Sequence, residues 1–365
     1  MKIQSIDKNF MTQSESIDGL KYYTLPCVPF DLYGVFYEEK TKRFVRLDSK
    51  IAEKTSKSVG ELNPLTSGGR VRFATESGKI SITVKYKDKT AFPHMTSIGT
   101  SGFVLTENIG DRSKYVYSFV VGHFSNDETV RNNGFTITKT LKGGKMRYYT
   151  LYFPLYNDVE ELKLGFEENA KVDSGYKYKD VLPIVYYGSS ITQGGCASRP
   201  DLMYPSLIEK FTNIDFINFG FSGSALGEET IIDYISKIDC SVFVCDYDFN
   251  APNAEYLKPS ILQLYKTYRK NKKDVPIVFI SNPDYYWYAN GKERFNAIKN
   301  TYDYAKSQGD DKVYLIHGKD FFGKEWGICT VDGVHPNDLG FYKMAKKINK
   351  VLDGILAGKI VKKGI

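Results

Sequence analysis

The chain is poor in sulfur, imidazole and indole: five cysteines, four histidines and two tryptophans in 365 residues. The cysteine count is odd. Cys27, Cys196, Cys240, Cys245 and Cys329 follow no zinc-type spacing, so the sequence predicts neither a disulfide framework nor a metal knuckle. No glycine-rich nucleotide loop occurs, and nothing in the residue pattern calls for a cofactor. No apolar run approaches the roughly 20 residues of a membrane helix, and Met1 to Leu20 lack the apolar stretch of a secretion signal. Free thiols without signal or span point to a reducing cytoplasm. Neither charge dominates, since 50 basic and 43 acidic residues leave a net +7. Basic clusters such as Arg269-Lys270-Asn271-Lys272-Lys273 come without any nucleic-acid-binding signature, so they read as solvated helix ends. Nucleic acid and membrane are therefore not expected as partners. A homo-oligomer stays open.

Aromatics are abundant: 28 tyrosines and 23 phenylalanines make a globular chain with material for two cores. From about 20 to 168 the pattern is that of short strands. Ile80, Ile82 and Val84 alternate with polar residues at period two, and Arg70-Val71-Arg72-Phe73, Tyr115 to Val121, Phe135 to Thr138 and Arg147 to Phe153 are similar runs. Without a convincing helix among them, these strands predict a β-sandwich of the jelly-roll kind. The character changes at the polar stretch Asn169 to Lys179. Strands are then expected at 183–187, 215–218, 241–246, 277–281 and 312–316, with helices near 204–211, 228–238, 259–271, 293–308 and 338–356. In the last helix Ile348, Val351, Leu352 and Ile355 form one apolar stripe. Such alternation predicts an α/β fold with a flavodoxin-like parallel sheet. The division is a β-sandwich over 1–175 and an α/β catalytic domain over 176–365.

The chemistry-bearing residues fall where this sheet would gather them. Ligands bind at the carboxyl ends of parallel strands. Ser190 follows the first strand in Val185-Tyr186-Tyr187-Gly188-Ser189-Ser190-Ile191-Thr192-Gln193-Gly194-Gly195, and Gly223 follows the second. Asn250 follows the third, and Asp332 and His335 stand in the loop before the last helix. Ser189, Ser190 and Thr192 are each competent helix caps, and Asp332-Gly333 is an ordinary turn pair. Together, however, a serine, a histidine and a carboxylate three residues upstream of it make an acyl-transfer set. The imidazole takes the serine proton and the carboxylate fixes the ring tautomer. Gly223 and Asn250, with the Ser190 amide, are candidate oxyanion donors. His317 is the rival base and Asn253 the rival amide. Arg199, His94, Tyr285 and Trp287 are candidates for substrate contact, while Cys196 reads as packing.

These blocks resemble the SGNH hydrolases, the GDSL esterase/lipase superfamily. Its Gly-Asp-Ser-Ile-Thr-type block corresponds to Gly188-Ser189-Ser190-Ile191-Thr192, which makes Ser190 the nucleophile rather than Ser189. Gly223, Asn250 and Asp332-Gly333-Val334-His335 correspond to the remaining blocks. The segment Asp246-Tyr247-Asp248-Phe249-Asn250 departs from the usual Gly-x-Asn-Asp. The longer string Ser190 to Pro200 is similar to a subfamily with an N-terminal β-sandwich. That sandwich often carries Gly-x-Asp-Leu-Tyr. Gly102-Phe103-Val104-Leu105-Thr106, after Phe92-Pro93-His94-Met95-Thr96, stands in its place without the aspartate and tyrosine; Asp31-Leu32-Tyr33 matches three letters but lies too early. The resemblance implies a metal-free serine esterase acting on short acyl groups, acetyl above all, on carbohydrates. A lysophospholipase or general small-ester hydrolase is the alternative. A carbohydrate-binding protein with a vestigial site is the alternative of another class.

Overall fold

The computed structural model describes residues 19–87, 90–110, 112–120, 134–283 and 290–357. Two antiparallel sheets come first. One runs in the order Leu20–Thr24, Val159–Glu167, Lys79–Tyr86, Phe135–Thr140. The other runs Val172–Ser174, Arg70–Thr75, Arg147–Tyr152, Phe103–Ile109, Arg112–Phe119, and Asp31–Tyr33 also pairs with Arg70–Thr75. Inward residues of both sheets share one core: Ile80, Ile82, Val84, Leu162 and Leu164 meet Val71, Phe73, Leu105 and Leu151. The period-two alternation thus places its apolar set as expected.

The opposite face of Arg70–Thr75 is not what alternation suggests. Arg70 and Arg72, the polar partners in the pattern, are fully buried against the second half of the chain. Three short helices, Ser49–Thr55, Lys57–Leu62 and Ser97–Ser101, also interrupt the strand-rich part, where the sequence predicted none. At one to two turns they are too short to print a 3.6-residue period. Side-chain caps hold them: Asp48 accepts from Lys50 N and Ile51 N, Ser56 from Val59 N, and Thr96 from Gly99 N.

The second half is a five-stranded parallel sheet in the order Phe216–Gly220, Ile184–Gly188, Val242–Asp246, Ile277–Ile280, Val313–Ile316. In chain order this is 2-1-3-4-5, the flavodoxin-like winding. Both faces are covered, which is why the strands read as continuous apolar runs. Ile184 and Tyr186 pack under helices Tyr204–Thr212 and Asp338–Leu356, while Val185 and Tyr187 pack on the side of Glu229–Ile235, Ala254–Asn271 and Gly291–Ser307. The helix Ala254–Asn271 starts five residues earlier than predicted. Pro259 lies inside this helix, and the cap is Asn253, whose Oδ1 accepts from Tyr256 N at 2.8 Å. Two four-residue helices, Lys319–Phe322 and Trp326–Cys329, lead into the Asp332 loop.

The two halves share cores. Met95, Leu155 and Tyr156 belong to the cluster on one face of the parallel sheet, and Leu47, Ala52 and Val59 to the cluster on the other. Among the described residues no helix is long and apolar enough to cross a membrane, and all five cysteines are free thiols.

Candidate active site

Strand Ile184–Gly188 ends against the start of a one-turn helix, Ser190–Gln193. Gly188 makes this turn feasible, because a Cβ there would lie 2.1 Å from Thr192 Oγ1 and 2.4 Å from the Asp246 carbonyl oxygen. Ser189 is the cap, its Oγ accepting from Ile191 N at 3.2 Å. The capping role thus falls on Ser189 and leaves the Ser190 hydroxyl to face the rim of the sheet.

Ser190 Oγ lies 2.9 Å from His335 Nε2, and His335 Nδ1 lies 2.7 Å from Asp332 Oδ2. The other Asp332 oxygen accepts from the backbone N–H groups of His335 at 2.8 Å and Val334 at 3.0 Å. Burial works to raise the Asp332 pKa, but the His335 amide, the His335 ring and the Val334 amide outweigh it and hold the carboxyl at about 2. A carboxylate at Nδ1 places the ring proton there, so the Nε2 lone pair points at Ser190. The loop itself is stiff: Val331 N donates to His335 O and Asn337 N to Cys329 O, both at 2.9 Å. Asp338, beyond it, accepts from the backbone N–H and hydroxyl of Ser198, which ties the histidine loop to the serine loop. Gly195 keeps the space between them, since a Cβ would meet His335 Cδ2 at 3.0 Å and Tyr156 Oη at 3.1 Å.

Across the opening stand Gly223, at φ +65°, and Asn250, which ends the single turn Asp248–Asn250. Asn250 Nδ2 donates one hydrogen to Phe221 O at 2.8 Å, which aims the amide and leaves its second hydrogen for the cavity. Among the described residues none accepts from the backbone N–H of Ser190 or Gly223. The unusual third block has a structural reason. Asp248 pairs with buried Arg294 at 2.8 Å and accepts from Asn282 N at 2.8 Å, so it anchors the loop that presents Asn250.

Ser190, Gly195, Ser222, Gly223, Asn250, Val334 and His335 form one side of a cavity of about 500 Å³; Leu62, Leu65, Phe92, His94, Met95 and Tyr156 form the other. The wall from the first half of the chain is therefore mainly apolar. His94 lies with its ring centroid 5.7 Å from that of His335. Thr96 Oγ1 donates to Ser198 O at 2.6 Å, and Tyr156 Oη and Ser222 Oγ are 2.6 Å apart, so this wall is fastened to the serine and glycine loops.

Other sequence candidates fall elsewhere. Arg199 forks onto Asp201 at 3.0 and 3.1 Å and stacks 4.4 Å from the Tyr115 ring; it braces the loop and does not line the cavity. His317 stacks on Phe295 with ring centroids 3.7 Å apart and is likewise not a lining residue. Tyr285 and Trp287 lie outside the described residues. Sequence reasoning missed Leu62, Leu65, Tyr156 and Ser222. It also expected no metal-ligand group, because local spacing shows none. The fold nevertheless brings single ligand atoms of His94, Cys196, Asp332 and His335 within 4.8 Å of one another.

Two family models match, the N-terminus of SGNH-hydrolase-type esterases (GxDLY) over residues 20–172 and the GDSL-like lipase/acylhydrolase family over residues 181–353. The α/β half of the chain, residues 181–353, is of the GDSL-like lipase/acylhydrolase family. This esterase is similar to a structure described as a GDSL-like lipase from Bacteroides ovatus ATCC 8483, at 26% identity and a TM-score of 0.80, covering 92% of this chain and 98% of the other. The fold is shared with the salicylyl-acyltransferase SsfX3 from a tetracycline biosynthetic pathway, at 13% identity and a TM-score of 0.77, over 95% of this chain and 100% of that one. It is shared too with a family two carbohydrate esterase from Clostridium thermocellum in complex with cellohexaose, at 17% identity and a TM-score of 0.57, over 80% and 93% of the two chains. Among curated proteins none matches the esterase.

Proposed function

We propose that the esterase hydrolyses short-chain acyl esters, acetyl above all, carried on carbohydrates, through a Ser190-His335-Asp332 triad and an acyl-enzyme. The observation that carries this reading is the continuous hydrogen-bonded line from Ser190 Oγ through His335 to Asp332 beside the cavity. His335 Nε2 takes the Ser190 proton as Oγ attacks the ester carbonyl, and charged Asp332 stabilises the imidazolium that forms. The oxyanion is held by the backbone N–H groups of Ser190 and Gly223 and by the second Asn250 amide hydrogen. His335 then protonates the leaving alcohol, and the same base activates the water that releases the acid.

The alcohol is placed toward the open side and the acyl group against the apolar wall of Leu62, Leu65, Phe92 and Met95. The bound cellohexaose of the Clostridium thermocellum relative supports a sugar as the alcohol. The apolar wall also supports the second reading, a general small-ester hydrolase that takes longer acyl groups. Acid release from acetylated oligosaccharides, measured beside aryl esters of increasing chain length, separates them. The first reading stands if acetylated oligosaccharides give the highest kcat/KM. It fails if only longer-chain simple esters turn over.

A further inference from the structure

The triad uses two members of a four-residue group and leaves the other two unexplained. His94 arrives from the strand-rich half and Cys196 from the turn after Ser190, and neither is needed to move a proton between Ser190 and His335. Their ligand atoms nevertheless converge with those of Asp332 and His335, all within 4.8 Å. Cys196 is held there by a left-handed backbone, at φ +71°, and is buried. His94 and His335 line the cavity, so an ion entering from solvent reaches them directly.

We propose that these four residues form an inhibitory site for a thiophilic divalent cation of the zinc type. Imidazole, thiolate and carboxylate are each donors that zinc takes in tetrahedral sites, and this group offers all three. Such a site needs neighbouring donors about 3.5 Å apart, so the observed spread of up to 4.8 Å must contract on binding an ion. Without a metal the Cys196 thiol stays protonated, its pKa pushed up to about 12 by burial and then by the Asp332 charge. A dication reverses that balance, since its charge favours the thiolate and the thiol proton leaves to solvent.

Inhibition follows from the chemistry of the ring. A metal on His335 Nε2 occupies the lone pair that takes the Ser190 proton. A metal on Nδ1 displaces the proton from that nitrogen to Nε2, which then donates and cannot accept. Either way the general base is lost, and Asp332 exchanges its histidine partner for the ion. The inhibitory part rests on the proposed triad, whereas metal binding itself does not.

The test uses the full chain. Zn²⁺ alone is titrated calorimetrically into Ser190→Ala, and Co²⁺ alone is followed by its thiolate charge-transfer absorption. The expected result is one ion per chain with a thiolate band, and loss of wild-type esterase activity by Zn²⁺ that a chelator restores. Cys196→Ser should turn over normally in metal-free buffer and bind Zn²⁺ weaker by about 10-fold or more, at least the loss typical of a change in an outer-shell partner alone. His94→Gln provides the second binding measurement and should weaken Zn²⁺ similarly. The proposal is overturned if Ser190→Ala binds no Zn²⁺, if Co²⁺ gives no thiolate band, or if both ligand variants bind Zn²⁺ as the wild type does. Metal binding with these signatures but no effect on turnover would overturn the inhibitory role and leave the site.

Discussion

Arg72 of the strand-rich half and Glu209 of the α/β half form an ion pair in which both side chains are only 1% exposed. Tyr152 Oη donates to Glu209 at 2.7 Å and Tyr178 Oη at 3.1 Å, and the Arg72 guanidinium lies 3.4 Å from the Tyr178 ring centre. Arg70 pairs alongside with Asp215. The interface between the halves is therefore ionic as well as apolar, and its buried guanidinium groups are paired with carboxylates of the second half, although Arg72 Nε itself has no hydrogen-bond partner among the described residues.

Removing one partner of such a pair leaves the other charge buried. Arg72→Met should cost about 3–5 kcal/mol of stability, while Arg72→Met with Glu209→Met should cost clearly less than the single change. Urea unfolding of the two variants checks this. Equal losses in the single and double variants would mean that the packing matters and the pairing does not.

Ser190→Ala and His335→Ala should each fold normally and lose about 10⁴-fold or more in kcat, with the double variant little worse, because the members act as a unit. Steady-state kinetics on an aryl acetate, beside thermal melts, decide it. A folded Ser190→Ala protein with near-normal turnover would remove the mechanism.

Asn250→Ala should lower kcat by about 10²–10³ with little change in KM, since its donation strengthens mainly in the transition state. Asn253→Ala tests the neighbouring amide. It caps the helix Ala254–Asn271, so its loss should appear as about 1 kcal/mol of stability with kcat unchanged. The reverse pattern would reassign the donor.

Asp246 ends the central strand, buried, with its pKa raised to about 8 by burial; donation from Thr192 and Tyr204 opposes the rise and the Asp248 charge adds to it. The unfolded chain releases this proton near pH ~4. Between those values the native state binds more protons, so the stabilising contribution is complete below about pH 4 and is lost as pH rises through about 8. Asp246→Asn cannot ionise and should show a flatter decline in melting temperature from about pH 5 to about pH 8. Parallel pH curves for the two proteins would show that Asp246 does not titrate there.

A chain cut to residues 177–365 should fail to melt cooperatively. It lacks Leu47, Ala52 and Val59 from one core and Met95, Leu155 and Tyr156 from the other, and it uncovers Glu209. A soluble fragment with a cooperative melt and full turnover on acetylated oligosaccharides would show the strand-rich half to be dispensable.

The sequence by itself determined the local matters. Period-two runs such as Ile80-Ile82-Val84 fixed which strand face is apolar, and alternating runs after residue 180 fixed a parallel sheet whose carboxyl ends gather Ser190, Gly223, Asn250 and His335. Those features are set by covalent spacing, which any window of the chain displays. The tertiary structure decided what depends on contacts between distant segments. The polar face of Arg70–Thr75 looked solvated, but the second half of the chain covers it, and acidic partners more than 130 residues away make that burial tolerable. The apolar wall of the cavity comes from the end of one short helix, Lys57–Leu62, and from loops, none of which carries a periodic signal. His94 and Cys196 showed no ligand spacing because their convergence is made by Thr96 holding Ser198 and by Asp338 holding the serine loop to the histidine loop. Pattern along a chain reports the surroundings of each residue on its own element; only the packed fold sets which elements face one another.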